Sequence, residues 1–343
     1  MKKITVIIVS LLTALSLISC DKGSKVNLYA EFLESFGKFD IVETKDIVLG
    51  NEVDSVVLIT KEGKKITVDN TADFYEIFNE VGFKFEDGKK YSCSAETKLG
   101  DRSRAFINMN VYHLDGTDIY ESRTKIEGDD TVATTEEYHH VQQLEENKTE
   151  RTSFGIYLYK DEKALGGIEN GPNGQTVYVS EDYPILPGPE SGELYQMHSH
   201  SNYLRSLLDL TEFFKYYEPY TDNGKKYDFN DFVTSEYTLY ENYIVFKQIT
   251  PALSGGVSPG QDQLIQYMMF SNSDYFVTQE AYCNVQTGEI ELVKLYGETL
   301  WHTGEYWNVK LEIDMQIYVH SVDGSDVKQK SDVIIDYVKL NVD

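Results

Sequence analysis

Cysteine is scarce: three in 343 residues, too few for a disulfide scaffold. Basic side chains are outnumbered, with 31 Lys and Arg against 57 Asp and Glu and a net charge of −26. Such a chain cannot neutralise a phosphate backbone, so nucleic acid is excluded as a partner. Past residue 20 no run is apolar enough to span a bilayer. No phosphate loop and no Gly-x-Gly-x-x-Gly occurs, which removes the usual nucleotide signatures, and no cofactor is expected. Tryptophan occurs only twice. What is present is a composition of 41% hydrophobic and 26% charged residues, near the globular average and against wholesale disorder. The length allows two domains.

The first twenty residues carry the clearest signal. Met1-Lys2-Lys3 is a basic head, and Ile4 to Ile18 is an apolar run broken by Thr5, Ser10, Thr13 and Ser16. A positive start followed by a short greasy core is the pattern of a secretory signal. The run ends in Leu17-Ile18-Ser19-Cys20, followed by Asp21. These four residues resemble a bacterial lipobox. The resemblance implies cleavage before Cys20 and diacylation of its thiol, which is a membrane anchor. Residues 1–19 are then a signal peptide and 20–26 a lipidated tether. The expected location is the extracytoplasmic face of the cell membrane. Loss of Lys2 and Lys3 leaves the mature chain more acidic still, so anionic headgroups repel the folded body.

Residues 27–165 read as an N-terminal α+β region. Leu28, Phe32 and Phe36 space a short helix over 27–36. A hairpin follows at 55–60 and 64–68. A helix is expected over 72–81, with Phe74, Ile77, Phe78 and Val81 as its stripe, Thr71 or Asn70 as cap and Gly82 as stop. Strands are expected at 90–99 and 104–113, where Ile107, Met109 and Val111 alternate with Asn108 and Asn110. Asp115-Gly116 reads as a hairpin turn. Four of the seven prolines fall between 160 and 192, together with Gly166-Gly167 and Gly171. That clustering reads as a linker or crossover over 166–192. Residues 193–343 read as a helix at 202–217 and then a meander: strands at 236–249, 263–270, 275–285, 289–296 and 307–320, with a last strand at 332–342. Val309 to Val319 alternate strictly with polar residues, which predicts one wet face. Asp73 to Tyr91 also aligns without gaps on Asp209 to Tyr227 with seven of nineteen positions identical, a faint internal repeat.

Candidate chemistry is thin. His198-Ser199-His200 places two imidazoles on one face of a strand, a spacing that suits zinc. With Ser206 and Asp209 it resembles a fragment of the JAMM metalloprotease motif. It departs from that motif in lacking a proline after His200 and in a shorter spacing to Asp209. No metal and no catalytic residue is assigned. Asp222, Asp228, Asn230 and Asp231 lack EF-hand spacing and read as a turn. Cys93 and Cys283 either pair or stay as buried thiols. The unusual feature is aromatic: 26 Tyr and 16 Phe. Tyr203 and Tyr217 flank the second helix, and Trp301, Tyr306 and Trp307 cluster within seven residues. Flat rings with polar tips suit apolar ligands or glycans, and these five are the candidate ligand-binding residues.

The expected fold class is α+β, with long antiparallel curved sheet packed against a few amphipathic helices, as in a half-open barrel. The helix-then-meander outline of 202–342 resembles LolA/LppX-like lipoprotein carriers. That resemblance implies an apolar cavity between sheet and helix and a hydrophobic or amphiphilic ligand. The alternatives are a surface module that grips glycan or protein through tyrosine-rich edges, and a zinc hydrolase using His198 and His200. The lipobox reading makes a direct prediction. Labelled palmitate enters the native protein in its bacterial host, and Cys20→Ser abolishes both the label and recovery in the membrane fraction.

Overall fold

The computed structural model describes residues 42–82, 86–100, 103–129, 140–145, 148–161, 163–171, 174–179, 214, 216, 220–222, 224–251, 276–303 and 306–340. The helix expected at 27–36, the strand expected at 263–270 and all but two residues of the helix expected at 202–217 lie outside them.

The first elements are a hairpin and a helix. β1 (Ser55–Ile59) pairs with β2 (Lys65–Asp69), and α1 covers Phe74–Val81. Phe74, Ile77, Phe78 and Val81 are all buried, as the spacing predicts. The cap differs from expectation. Asp73, not Thr71 or Asn70, accepts hydrogen bonds from the backbone of Tyr75 and Glu76, both at 2.9 Å. Asp69 instead accepts from Thr71. Gly82 ends the helix at φ +58, the left-handed stop that glycine provides.

A long antiparallel sheet follows. Its first part is β3 (Lys89–Leu99), β4 (Ser103–Leu114), β5 (Thr117–Asp129), β6 (His140–Glu145), β7 (Lys148–Lys160), β8 (Lys163–Gly171) and β9 (Gly174–Val179). The small hairpin of β10 (Tyr220–Asp222) and β11 (Lys225–Tyr227) stands apart. The sheet resumes with β12 (Thr234–Leu239), β13 (Tyr243–Pro251), β14 (Phe276–Asn284), β15 (Ile290–Thr303) and β16 (Tyr306–Ser321), and α2 (Gly324–Leu340) closes the described chain. The strand order is β12-β13-β14-β15-β16-β3-β4-β5-β7-β8-β9, with β6 beside β7. Nearly every neighbour is also a neighbour in sequence. The exceptions are β5 with β7, which passes over β6, and β16 with β3, from Leu311↔Leu99 to Ser321↔Lys89. Strands from both halves of the sequence therefore lie in one sheet. Among the described residues β12 and β9 end the sheet, and it does not close into a barrel.

Three sequence expectations are corrected. Residues 332–342 were expected to be a strand, but 324–340 are helical. Val327 and Ile334 are buried at 4% and 0% exposure, seven residues apart on one helical face. The local run Val333-Ile334-Ile335 imitates a strand. The long strand expected at 236–249 is two strands joined by a tight turn at Tyr240 to Asn242. Residues 166–171, expected within a linker or crossover, belong to β8, whereas Gln175 to Val179, whose pattern reads as a strand, falls in β9; the rest of 166–192, beyond these two strands, lies outside the described residues. The reason is nonlocal. A Cβ on Gly167 would stand 2.6 Å from the Tyr157 ring on the neighbouring strand, and one on Gly155 would stand 2.8 Å from its hydroxyl. The glycines make room for that ring.

The repeat has a structural counterpart in two places. Gly88 and Gly224 share left-handed φ values of +76 and +77, and the equivalent Phe78 and Phe214 pack on each other with ring centroids 4.8 Å apart.

The β1–β2 hairpin is locked to the β14–β15 turn. Ile59 N donates to Val285 O at 2.8 Å. Gly288 in that turn has φ +68, and a Cβ there would meet Ile59 O at 2.7 Å and the Lys61 backbone nitrogen at 2.9 Å. Gly288→Ala is expected to lower the unfolding free energy by about 2–4 kcal/mol. Gly63→Ala, at φ +80 with nothing within 4 Å, costs about 1 kcal/mol. Urea denaturation of the two variants measures the difference.

Candidate functional site

Strand alternation sorts the sheet into two unlike faces. One is apolar. Register aligns Phe246, Ala281, Val293, Ile317, Cys93 and Met109 in a row across six strands, and all six are buried below 2% exposure. A parallel row runs through Tyr91, Val111, Tyr120 and Tyr157, each 3% exposed or less. α1 docks at the β12–β13 end of this face. Phe74 and Phe78 meet the Phe246 ring edge-on at 5.6 and 5.2 Å, and the Tyr237 hydroxyl donates to the carbonyls of Asp69 and Ala72.

The other face is mixed, with Ser92, Asn110 and Glu121 beside buried Ile119, Ile156 and Leu158, and among the described residues two segments cross it. Residues 43–49 run over one part. Glu43 pairs with Lys90, Lys45 with Glu291, and Ile47 and Leu49 pack on Tyr243, Tyr282 and Leu292. Hydrogen bonding from Lys90 holds the Glu43 carboxyl below its ordinary range. Glu291 has no cross-strand partner at the β14–β15 bulge. It accepts a 2.5 Å hydrogen bond from the Tyr243 hydroxyl, and burial followed by that carboxylate drives the phenol's pKa upward.

α2 covers another part of this face, and a buried charged cluster lies beneath it. Glu121 on β5 is 7% exposed. It accepts from Asn110 Nδ2 and Tyr112 Oη, both at 3.3 Å, and from Lys330 Nζ of α2. Ser92 Oγ donates to Asn110 Oδ1 at 2.7 Å. Lys90 and Lys330 place ammonium groups 5.4 and 5.0 Å from the Tyr112 ring centroid, within cation–π range. Burial and then the Glu121 charge push the Tyr112 hydroxyl well above its ordinary pKa. Arg123 is buried nearby at 2% exposure; His113 pairs with Asp118 on the opposite face, where β4 turns into β5. Asn108 and Asn110, which alternate with the apolar residues of β4, are 8% and 2% exposed. Reading 332–342 as a strand removed the helix that covers the face they share.

The predicted site residues are not brought together as a described pocket. Trp301 lies on β15, and Tyr306 and Trp307 lie on β16, in one hairpin where Thr303 pairs with Tyr306 and Trp301 with Val309. Tyr203, Tyr217, His198, His200 and Cys20 lie outside the described residues. Among the described residues no three His, Cys, Asp or Glu side chains converge as metal ligands. Asp228 accepts from Asn230 N at 3.1 Å and caps the short 3₁₀ turn Phe229–Phe232. Cys93 and Cys283 are both free and buried. They sit on β3 and β14, three strand spacings apart, about 14 Å, beyond disulfide reach. Burial pushes both thiols up to about 12.

Sequence reasoning passed over two things. Gly256-Val257-Ser258-Pro259-Gly260 has the Gly-x-Ser-x-Gly spacing of a nucleophile elbow. It lies outside the described residues, and Pro259 lacks the backbone N–H that the residue after the serine supplies to an oxyanion hole. The Glu121 cluster was also missed. Its signal in the sequence was two asparagines inside the otherwise apolar run Ala105 to Tyr112 of β4.

No family model matches the chain, and no curated protein matches it. Among solved structures, one described as the crystal structure of an N-terminal dehydratase from the difficidin assembly line is 8% identical. That match covers 74% of this chain and 84% of the other, with a TM-score of 0.12. A likeness that slight carries no argument about fold or function.

The charged cluster makes a stability prediction. Lys330→Met leaves the buried Glu121 carboxylate without its ammonium partner and is expected to cost about 2–3 kcal/mol. Lys330→Met combined with Glu121→Gln is expected to recover part of that loss. Chemical denaturation of the single and double variants gives the coupling.

Proposed function

We propose that this chain is an extracytoplasmic lipoprotein, anchored through lipid on Cys20, whose sheet binds a hydrophobic or amphiphilic ligand on its apolar face. The observation that carries the reading is the extent of that face. α1 has eight residues, about 12 Å of helix, and docks over β12 and β13. The apolar rows continue through β14, β15, β16, β3 and β4, in a sheet roughly 50 Å across. The face is already covered, in part by α1 and by Leu58 and Val68 of the β1–β2 hairpin, so an apolar guest would lie between the sheet and its cover. The buried tyrosines Tyr91, Tyr120, Tyr157 and Tyr159 add polar tips to apolar walls, which suits an amphiphile. In this reading the open sheet curves as a half-open barrel, as the resemblance to LolA/LppX-like carriers implies.

The test is direct. Full-length protein is incubated with a total lipid extract, separated from excess lipid and examined by native mass spectrometry. Stoichiometric adducts are expected, and Met109→Asp, which places a charge in the middle of the apolar row, is expected to abolish them. Protein that emerges without adduct overturns the reading.

A further inference from the structure

Inside the apolar face one registered row changes character. Ser235, Gln248, Gln279, Leu295, Met315 and Ala95 lie side by side on β12, β13, β14, β15, β16 and β3. The first three are polar and the last three are not. Gln248 and Gln279 are 0% and 4% exposed. Gln248 Nε2 donates to Ser235 Oγ at 3.1 Å and to Tyr75 Oη at 3.3 Å, and those two hydroxyls are 3.0 Å apart. The side-chain oxygens of both glutamines are fully buried and have no hydrogen-bond partner.

An unmet buried acceptor costs about 1–3 kcal/mol, and here two belong to residues registered opposite each other on neighbouring strands. Gln248 holds α1 through Tyr75 Oη, but that bond uses its Nε2 and leaves the oxygens of both glutamines unmet. Leucine in place of Gln279 would extend the core. The pair therefore points to a polar group that arrives from outside the chain. An amide turned by half a turn offers its NH₂ in place of its oxygen. A hydroxyl, which both donates and accepts, meets either arrangement. A carboxylate meets only one, and its charge would lie next to buried apolar side chains. From Gln279 the row runs on through Leu295 and Met315 to Ala95, three further spacings of about 4.8 Å.

We propose that Ser235, Gln248 and Gln279 form the headgroup subsite for a hydroxyl-bearing long-chain amphiphile whose chain lies along Leu295, Met315 and Ala95. This rests on the reading that the apolar face binds a ligand, and it names the chemistry of that ligand.

The probes are oleyl alcohol, oleate and the corresponding hydrocarbon, each competing against an environment-sensitive apolar dye on the full-length protein. Wild type is expected to bind the alcohol about tenfold tighter than the hydrocarbon or oleate. Gln248→Leu and Gln279→Leu are each expected to lower the alcohol's affinity about tenfold and to leave the hydrocarbon's unchanged. Gln279→Leu is expected to unfold at or above the wild-type temperature, because it removes a buried unmet polar group, and Gln248→Leu somewhat below it, because it also takes the amide donor from Ser235 and Tyr75. Equal binding of alcohol and hydrocarbon by wild type overturns the subsite alone and needs no variant to fold. Unchanged alcohol affinity in both variants does the same, as does a crystal structure grown with the alcohol that shows only ordered water on the two amides. Failure to bind any of the three probes or the dye overturns the broader reading as well.

Discussion

The pairing of β16 with β3 is the constraint on which the rest of the molecule depends. Eleven residue pairs, from Leu311↔Leu99 to Ser321↔Lys89, join two meanders into one sheet. Without that seam the apolar rows would break in the middle. Ile317 would lose Cys93, Met315 would lose Ala95, and neither half would present an apolar face wider than a few strands. The seam also delivers α2. The helix begins three residues after β16 ends, and Asp323 at its start accepts from Ser325 N at 3.0 Å. It therefore lies over β4, β5, β8 and β9, where Lys330 reaches Glu121.

The two faces solve the burial problem differently. On the apolar face, contact area does the work, and the polar groups, Ser235, Gln248, Gln279, Thr250 and, at the β4–β5 turn, Asp118, stand among long rows of hydrocarbon and aromatic carbon. On the opposite face the covering pieces are pinned by charge. Glu43 with Lys90, Lys45 with Glu291 and Lys330 with Glu121 each tie a crossing segment to a strand. Ion pairs and hydrogen bonds demand defined geometry, so they set the placement of α2 and of residues 43–49 more sharply than apolar contact would. Apolar packing is non-directional, and a face held by it alone tolerates a change of partner.

Local pattern and nonlocal pairing explain what was legible in the sequence. α1 could be read because its stripe, Phe74, Ile77, Phe78 and Val81, and its glycine stop lie within nine residues. The turn at Asp115-Gly116 and the alternation of β16 were equally local. α2 could not, because Lys330 interrupts its buried stripe and Val333-Ile334-Ile335 imitates a strand. β8 could not, because the ring that explains Gly167 comes from Tyr157, across a strand pair. The candidate ligand face has the same character. Gln248 and Gln279 are ordinary glutamines in two separate strands until the register sets them opposite each other. The aromatic cluster at Trp301, Tyr306 and Trp307 drew notice through composition, which says nothing about which residues a sheet brings together.

The seam also fixes when the molecule can be finished. β3 finds β4 within a few residues, but its other side must wait for β16, roughly two hundred residues later in synthesis. Until then β3 holds a bare row of backbone donors and acceptors beside an apolar surface, the kind of edge that recruits the wrong strand from another copy. Assembly of the sheet is therefore late and slow by construction, and the growing chain depends on its surroundings to keep that edge unoccupied until its own last strand arrives.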